Sequence, residues 1–226
     1  MSARGLFVTG TDTGIGKTVV ACALVRGFAT RGERVAVMKP IASGAVRTAD
    51  GLRNEDALSL IEATGRTLAY ETVNPYCFEP AISPHIAADD DKITIDLSTI
   101  RAAFDALSAD CERIVVEGAG GWLAPVNRRE SMADLARVLG VPVVMVVGMR
   151  LGCLNHAQLT RQAIRTSGVP FAGWIANRLE PGMEREAENL AALEQRLAEP
   201  PLALVPFSRE RQLVLGAAAA RLAGGG

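Results

Sequence analysis

Residues 10–18 read Gly10-Thr11-Asp12-Thr13-Gly14-Ile15-Gly16-Lys17-Thr18, a complete G-x-x-x-x-G-K-[ST] phosphate loop. No other stretch constrains the chain as tightly, because such a loop works only between a buried strand and the first turn of a helix. Both flanks suit it. An apolar run at 6–9 precedes the loop, and residues 18–30 follow with apolar positions at helical spacing. The glycines let successive backbone N–H groups turn inward toward phosphate oxygens, and the helix N-terminus adds its partial positive charge. In a loop of this kind Lys17 reaches the β- and γ-phosphates and the Thr18 hydroxyl binds Mg²⁺. Gly14, Ile15, Gly16, Lys17, Thr18 and Val19 are the expected triphosphate-binding run.

The rest of the chain repeats the strand-then-helix alternation of a mostly parallel sheet with helices on both faces. Strands are predicted at 6–9, 35–38, 114–117, 141–147, 171–176 and 202–205, and helices at 18–30, 55–64, 99–108, 132–139, 154–166 and 183–197. The strands are continuous Val/Ile/Leu-rich runs, as suits strands buried on both sides. Gly32, Gly140 and Gly168 follow helical stretches as C-terminal caps do, and Asn54 can cap the helix that begins at Glu55. Residues 41–53 read as a loop, and 68–98 as an irregular excursion with a short helix near His85. A length of 226 residues without a linker-like stretch predicts one α/β domain spanning 1–226.

Composition narrows the function classes. A formal net charge of -1 offers no bulk field for nucleic acid or an anionic membrane, and no apolar run reaches the length of a membrane span. Cys22, Cys77, Cys111 and Cys153 are scattered without metal-site or disulfide-framework spacing, and no signal-peptide pattern opens the chain. These features predict a cytoplasmic protein. Among 24 basic residues only Lys17, Lys39 and Lys92 are lysines. Lys92 follows three aspartates and reads as a solvated charge.

Lys39 directly follows the strand 35–38, so it stands at the same carboxyl edge of the sheet as Lys17, where open α/β sheets bind ligands. A solvated lysine at a strand end is the plainer reading, but two lysines at one edge suit a reaction that crowds negative charge. Glu117 ends the run Ile114-Val115-Val116 and leads into Gly118-Ala119-Gly120-Gly121. That places a carboxylate where phosphate-loop enzymes hold their metal. Asp56 lies in the first turn of the next predicted helix, either as a second metal ligand or as an ordinary helix-start charge.

Several further motifs accompany these residues: Lys39-Pro40 with Ser43-Gly44, Leu52-Arg53-Asn54 with Asp56, Asn74-Pro75-Tyr76, and Ser83-Pro84-His85. The chain continues with Leu151-Gly152-Cys153-Leu154-Asn155-His156-Ala157 and Gly173-Trp174-Ile175-Ala176-Asn177. Together with the phosphate loop and Glu117–Gly121, they resemble the dethiobiotin synthetase family from residue 5 to about 207. The resemblance implies ATP, Mg²⁺, CO₂ and 7,8-diaminononanoate as partners. It implies a carbamate that takes the γ-phosphate and a cyclic urea closed by the second amine. Carried over by position, Lys17 and Lys39 stabilise carbamate and phosphate oxygens, and Thr18, Asp56 and Glu117 hold the metal. Thr13 and Ser43 lie beside the diamine, while Asn177, with Arg178 and Pro206, meets the adenine. The resemblance also implies a homodimer in which Gly152, Cys153, Leu154 and Asn155 receive the substrate carboxylate. A helix N-terminus there favours an anion independently, although without the family the segment is an ordinary strand-to-helix turn. His85 and His156 read as packing or capping residues.

Two departures stand out. Gly14 replaces an acidic residue carried by some members, and the stretch 208–212 matches weakly. The competing readings are a cobyrinate-type amidating ligase, which would need a glutamine-hydrolysing domain, and a partition-type switch ATPase. The latter typically carries an extra lysine where this chain has Thr11.

Overall fold

A computed structural model describes residues 4–207 and 211–224. Six strands form the central sheet: β1 (Arg4–Gly10), β2 (Val35–Met38), β7 (Arg113–Glu117), β8 (Val143–Met149), β9 (Phe171–Arg178) and β10 (Ala203–Val205), in the order β10-β9-β8-β1-β7-β2. Every pairing in this sheet is parallel. Within β1, β7 and β8 successive residues are buried with no alternation, so both faces are covered. One cover consists of α1 (Lys17–Ala29) packed between α2 (Glu55–Thr64) and α9 (Arg211–Gly224). A second chain of packed helices runs through α5 (Leu97–Ser108), α6 (Met132–Leu139), α7 (Cys153–Ser167) and α8 (Glu186–Leu197).

Local chemistry sets the boundaries. Asn54 caps α2 by accepting the backbone N–H of Asp56 and Ala57. Gly32, Gly140 and Gly168 take left-handed conformations at the helix ends, as their positions predict. Between β8 and β9 the register slips by one residue, with Val143 facing Phe171 and Val144 facing Gly173. Gly173 has φ 126, and a Cβ there would stand 2.9 Å from Leu202 Cδ1, so only glycine fits the irregularity.

Three expectations need correction. Residues 41–53 are not a plain loop. They hold β3 (Ile41–Ser43) and a hairpin of β4 (Val46–Thr48) with β5 (Gly51–Arg53). The stretch 68–98 is more regular than its sequence suggests, with α3 (Tyr70–Val73), β6 (Tyr76–Phe78) paired to β3, and α4 (Pro84–Asp90). The helix expected from 183 starts at Glu186, because Arg185 sits at φ 55 and cannot continue a right-handed turn. The alanine run at 217–220 is part of α9, and its Ala219 packs against Gly27 of α1.

Candidate active site

The carboxyl ends of β1, β2 and β7 deliver the charged groups to one edge. The loop after β1 wraps on glycines: Gly16, the N-cap of α1, has φ 81, and a Cβ there would lie 2.4 Å from Asn177 Nδ2. Thr11 N–H donates to the Val146 carbonyl at 3.0 Å, and the Asn177 amide donates to the Ile15 carbonyl at 2.7 Å. Ile15 itself is buried beneath the loop, against Gly10 and Gly148. The loop is thus tied to β8 and β9 before any phosphate arrives.

Lys17 is buried, and its ammonium donates to the Asp12 carbonyl at 2.9 Å. Burial first, and then the like charge of Lys39, lower its pKa from 10.5 to about 8. The Asp12 carboxylate accepts the Thr13 N–H at 2.7 Å and pairs with Arg150.

Behind Lys17 lies the densest charge cluster. Lys39 Nζ donates to Glu117 Oε1 at 2.6 Å and to Asp56 Oδ2 at 2.9 Å. The Thr18 hydroxyl also donates to Glu117 Oε1, at 2.9 Å. Burial pulls the Lys39 pKa down, but the two carboxylates beside it outweigh burial and raise it. For Asp56, burial favours the neutral acid, yet the Lys39 charge beside it holds the pKa down. Glu117 Oε2 is buried with no hydrogen-bond partner, which leaves a strong acceptor free.

A cavity of about 780 Å³ opens over this cluster. Of the predicted site residues, Thr13, Gly14, Gly16, Lys17, Thr18 and Val19 line it from the phosphate loop. Lys39, Ser43, Asp56, Glu117, Ala119 and Gly120 line it from the neighbouring strand ends. Ser43 Oγ is buried there without a partner. The far wall was not anticipated: Ala81 to Pro84, leading into α4, with Ile41, Ala42 and Asn54. Ser83-Pro84 stood out only as a motif, and nothing in its spacing placed it opposite Lys17.

Other predicted residues lie off the cavity. Gly118 is packed on Phe7, where a Cβ would be 2.9 Å from the ring. Asn177 is buried and holds Ile15, and Arg178 forms a two-pronged pair with Glu186 at 2.6 and 2.8 Å. Pro206 follows β10, whose Val205 pairs with Asn177. Gly152, Cys153, Leu154 and Asn155 start α7, with the Asn155 and His156 N–H groups turned to the Gly152 carbonyl. They do not line the cavity of their own chain. Residues 208–210 fall outside the described residues. His85 Nδ1 lies 2.9 Å from Ser83 Oγ, a side-chain pair at the start of α4 that caps no backbone group.

Known proteins resemble this chain in two ways. In fold, it matches the MinC:MinD cell division protein complex of Aquifex aeolicus at TM-score 0.64 and 14% identity, covering 99% of this chain and 97% of that one. A ParA family ATPase from Chlorobium tepidum TLS matches at TM-score 0.59 and 13% identity, with 99% and 94% covered. At such identities the likeness is one of fold alone. In sequence, a family model described as an AAA domain matches residues 4–212. The ATP-dependent dethiobiotin synthetase BioD of Xylella fastidiosa (strain 9a5c) is 50% identical over 200 residues, 88% of each chain. That of Aromatoleum aromaticum is 47% identical over 221 residues, 98% of each chain. With likeness of that extent and a phosphate loop, two lysines and two carboxylates gathered at one sheet edge, the chain belongs to the dethiobiotin synthetase family.

Proposed function

We propose that this cavity closes the ureido ring of dethiobiotin from 7,8-diaminononanoate and CO₂ at the expense of ATP. One amine of the substrate adds to CO₂ and loses a proton, giving a carbamate. A carbamate oxygen attacks the γ-phosphorus as the bond to ADP breaks. The second amine then attacks the carbamate carbon, and phosphate leaves as the ring closes.

The observation that carries the reading is the Lys39 ammonium, held between Glu117 and Asp56 and facing the same cavity as Lys17. Transfer of a phosphoryl group to a carbamate brings two anions together, and preorganised cations in a buried site offset that repulsion. Lys17 takes the β- and γ-phosphate side, and Lys39 the carbamate side. Thr13 and the unpartnered Ser43 hydroxyl supply hydrogen bonds to the diamine and its carbamate.

Thr18, Asp56 and Glu117 would hold Mg²⁺. A hydroxyl and two carboxylates are hard oxygen donors, and the orphaned Glu117 Oε2 suits a cation whose other ligands are phosphates and water. Bound there, the ion supplies positive charge to the β- and γ-phosphate oxygens. Among the described residues no group of three or more His, Cys, Asp or Glu could hold a metal unaided, which fits an ion that arrives with the nucleotide.

Asn177, Arg178 and Pro206 stand at the ends of adjacent strands next to the phosphate loop, a position that suits the adenine. For Gly152–Asn155 the supported reading is a homodimer, in which the α7 N-terminus serves the substrate carboxylate at the partner's cavity. Leu151 beside it is 94% exposed and Leu159 on α7 is 63% exposed, apolar surface that a partner copy would cover. The cysteines described are free thiols, as in a reducing compartment such as the cytoplasm.

The test is phosphate release from ATP and Mg²⁺ with and without 7,8-diaminononanoate and bicarbonate, with the product identified by mass spectrometry. Release that needs both additions and yields a cyclic urea is expected. Release indifferent to the diamine would refute the reading.

A further inference from the structure

The Lys39 ammonium and the Asp56 carboxylate that it bonds come from different segments: Lys39 from the end of β2, and Asp56 from the first turn of α2. A buried hydrogen-bond chain joins them, and its two linking residues, Tyr70 and Asn74, do not line the cavity. The Tyr70 hydroxyl, from α3, accepts the backbone N–H of Asn54 at 2.7 Å and donates to Asn74 Oδ1 at 2.9 Å. The Asn74 amide then donates to the Lys39 carbonyl at 2.6 Å and to the Tyr76 carbonyl at 3.1 Å. Lys39 N–H returns a bond to the Val73 carbonyl at 2.9 Å. At the other end, Asn54 caps α2 through the N–H of Asp56 itself. Asn54, Asn74 and Lys39 are all buried, Tyr70 is 9% exposed, and the Arg53 guanidinium lies 4.2 Å over the Tyr70 ring.

We infer that Tyr70 and Asn74 are positioning residues, a strut that sets the Lys39 ammonium against the Asp56 carboxylate. The inference rests on the proposed roles of Lys39 and Asp56. It goes beyond ordinary core satisfaction because the bonded atoms belong to the residues that carry the charge or to the cap that aims it. Their connection is short. One hydroxyl and one carboxamide span the distance between the carbonyl of Lys39 and the cap of the helix bearing Asp56. Removing the hydroxyl strands a buried N–H and a buried amide oxygen, and the two segments can relieve that only by moving apart. A displacement of about 1 Å in a reacting group costs on the order of 100-fold in rate. The side-chain hydrogen bonds of Tyr70 and Asn74 go to Asn54, Cys77, Lys39 and Tyr76 and to each other, none in the phosphate loop, so the strut sets the acceptor and metal side of the site and leaves triphosphate binding alone.

The experiment compares Tyr70→Phe, which keeps the ring beneath Arg53, with Asn74→Ala, which carries the test if the first variant does not fold. Two quantities are read: steady-state turnover, and the affinity for a non-hydrolysable ATP analogue by calorimetry with and without Mg²⁺. We expect kcat to fall about 10- to 100-fold and the Mg²⁺-dependent gain in analogue affinity to shrink. Affinity without the metal should stay within about twofold. Trp174→Phe controls for general loosening, because it leaves a void at a fully buried ring and removes the bond from Trp174 Nε1 to the Glu199 carbonyl at 3.0 Å, without touching Tyr70 or Asn74. That variant should melt earlier while leaving both readouts in place. The inference is overturned if Tyr70→Phe and Asn74→Ala keep kcat and the Mg²⁺-dependent gain within about twofold, or if Trp174→Phe moves them equally. Lys39→Ala and Asp56→Asn are run alongside. If these keep full turnover, the roles of Lys39 and Asp56 fall and the strut with them. If they fail while the strut variants do not, only the strut is wrong.

Discussion

Nucleotide binding should take up a proton, and Lys17 is the reason. In the free protein its pKa is lowered from 10.5 to about 8, by burial and then by the neighbouring Lys39 charge. Phosphate oxygens at the loop favour the ammonium, so the complex holds the proton to a pH that the free protein does not reach. The sign follows directly. Free Lys17 loses its proton as pH rises through about 8, whereas the bound form keeps it, so proton uptake grows and affinity falls above that pH. At pH 9, roughly nine-tenths of free sites are neutral. Binding then takes up about 0.9 proton, and affinity is about tenfold below its pH 7 value, or ~1.4 kcal/mol. Calorimetric titration of a non-hydrolysable ATP analogue at pH 7 and 9, in two buffers of contrasting ionisation enthalpy, measures both quantities. Lys17→Met should bind weakly and without the added uptake at pH 9. A flat affinity across this range, with no buffer-dependent heat, would refute the argument that the buried lysine is poised to discharge.

Lys39→Ala should lose about 2.7–4 kcal/mol of transition-state stabilisation, seen as a 10²- to 10³-fold fall in kcat; near-normal turnover would leave Lys39 a purely structural partner of Glu117. Asp56→Asn should raise the Mg²⁺ concentration needed for half-maximal activity, and an unchanged metal titration would reduce Asp56 to a helix-start charge. Gly27→Ala places a Cβ 2.6 Å from Ala219 Cβ and 3.3 Å from the Gly216 Cα, so α9 must shift. The expected cost is ~1–3 kcal/mol by denaturant unfolding, and an unaltered midpoint would mean that α9 yields freely.

What could be read from the sequence was what is local. The phosphate loop, the six strands of the main sheet and the Asn54 cap depend on neighbours in the chain, and they stand where spacing puts them. The meeting of Lys17, Lys39, Glu117 and Asp56 was legible one level higher, because strand ends of a parallel sheet share an edge. That Lys39 would lie between the two carboxylates was not, since this depends on side-chain reach. Strands β3 to β6 have three residues each, too few to show a period-two pattern. Asn74 stood out only as part of the motif Asn74-Pro75-Tyr76, with no role attached, and Tyr70 looks like an ordinary residue of an irregular stretch; their partners Asn54 and Lys39 lie 16 and 35 residues away. The wall at Ala81 to Pro84 escaped for the same reason.

The two margin strands of the main sheet are its shortest. The interior strands β9, β8, β1 and β7 have 8, 7, 7 and 5 residues, whereas the margins β2 and β10 have 4 and 3. A free margin is a row of unpaired amides and carbonyls that can recruit a stray chain, and its hazard grows with its length. Margins this brief give an incoming strand almost nothing to hold. The main sheet therefore exposes little template for runaway sheet growth during synthesis or heating.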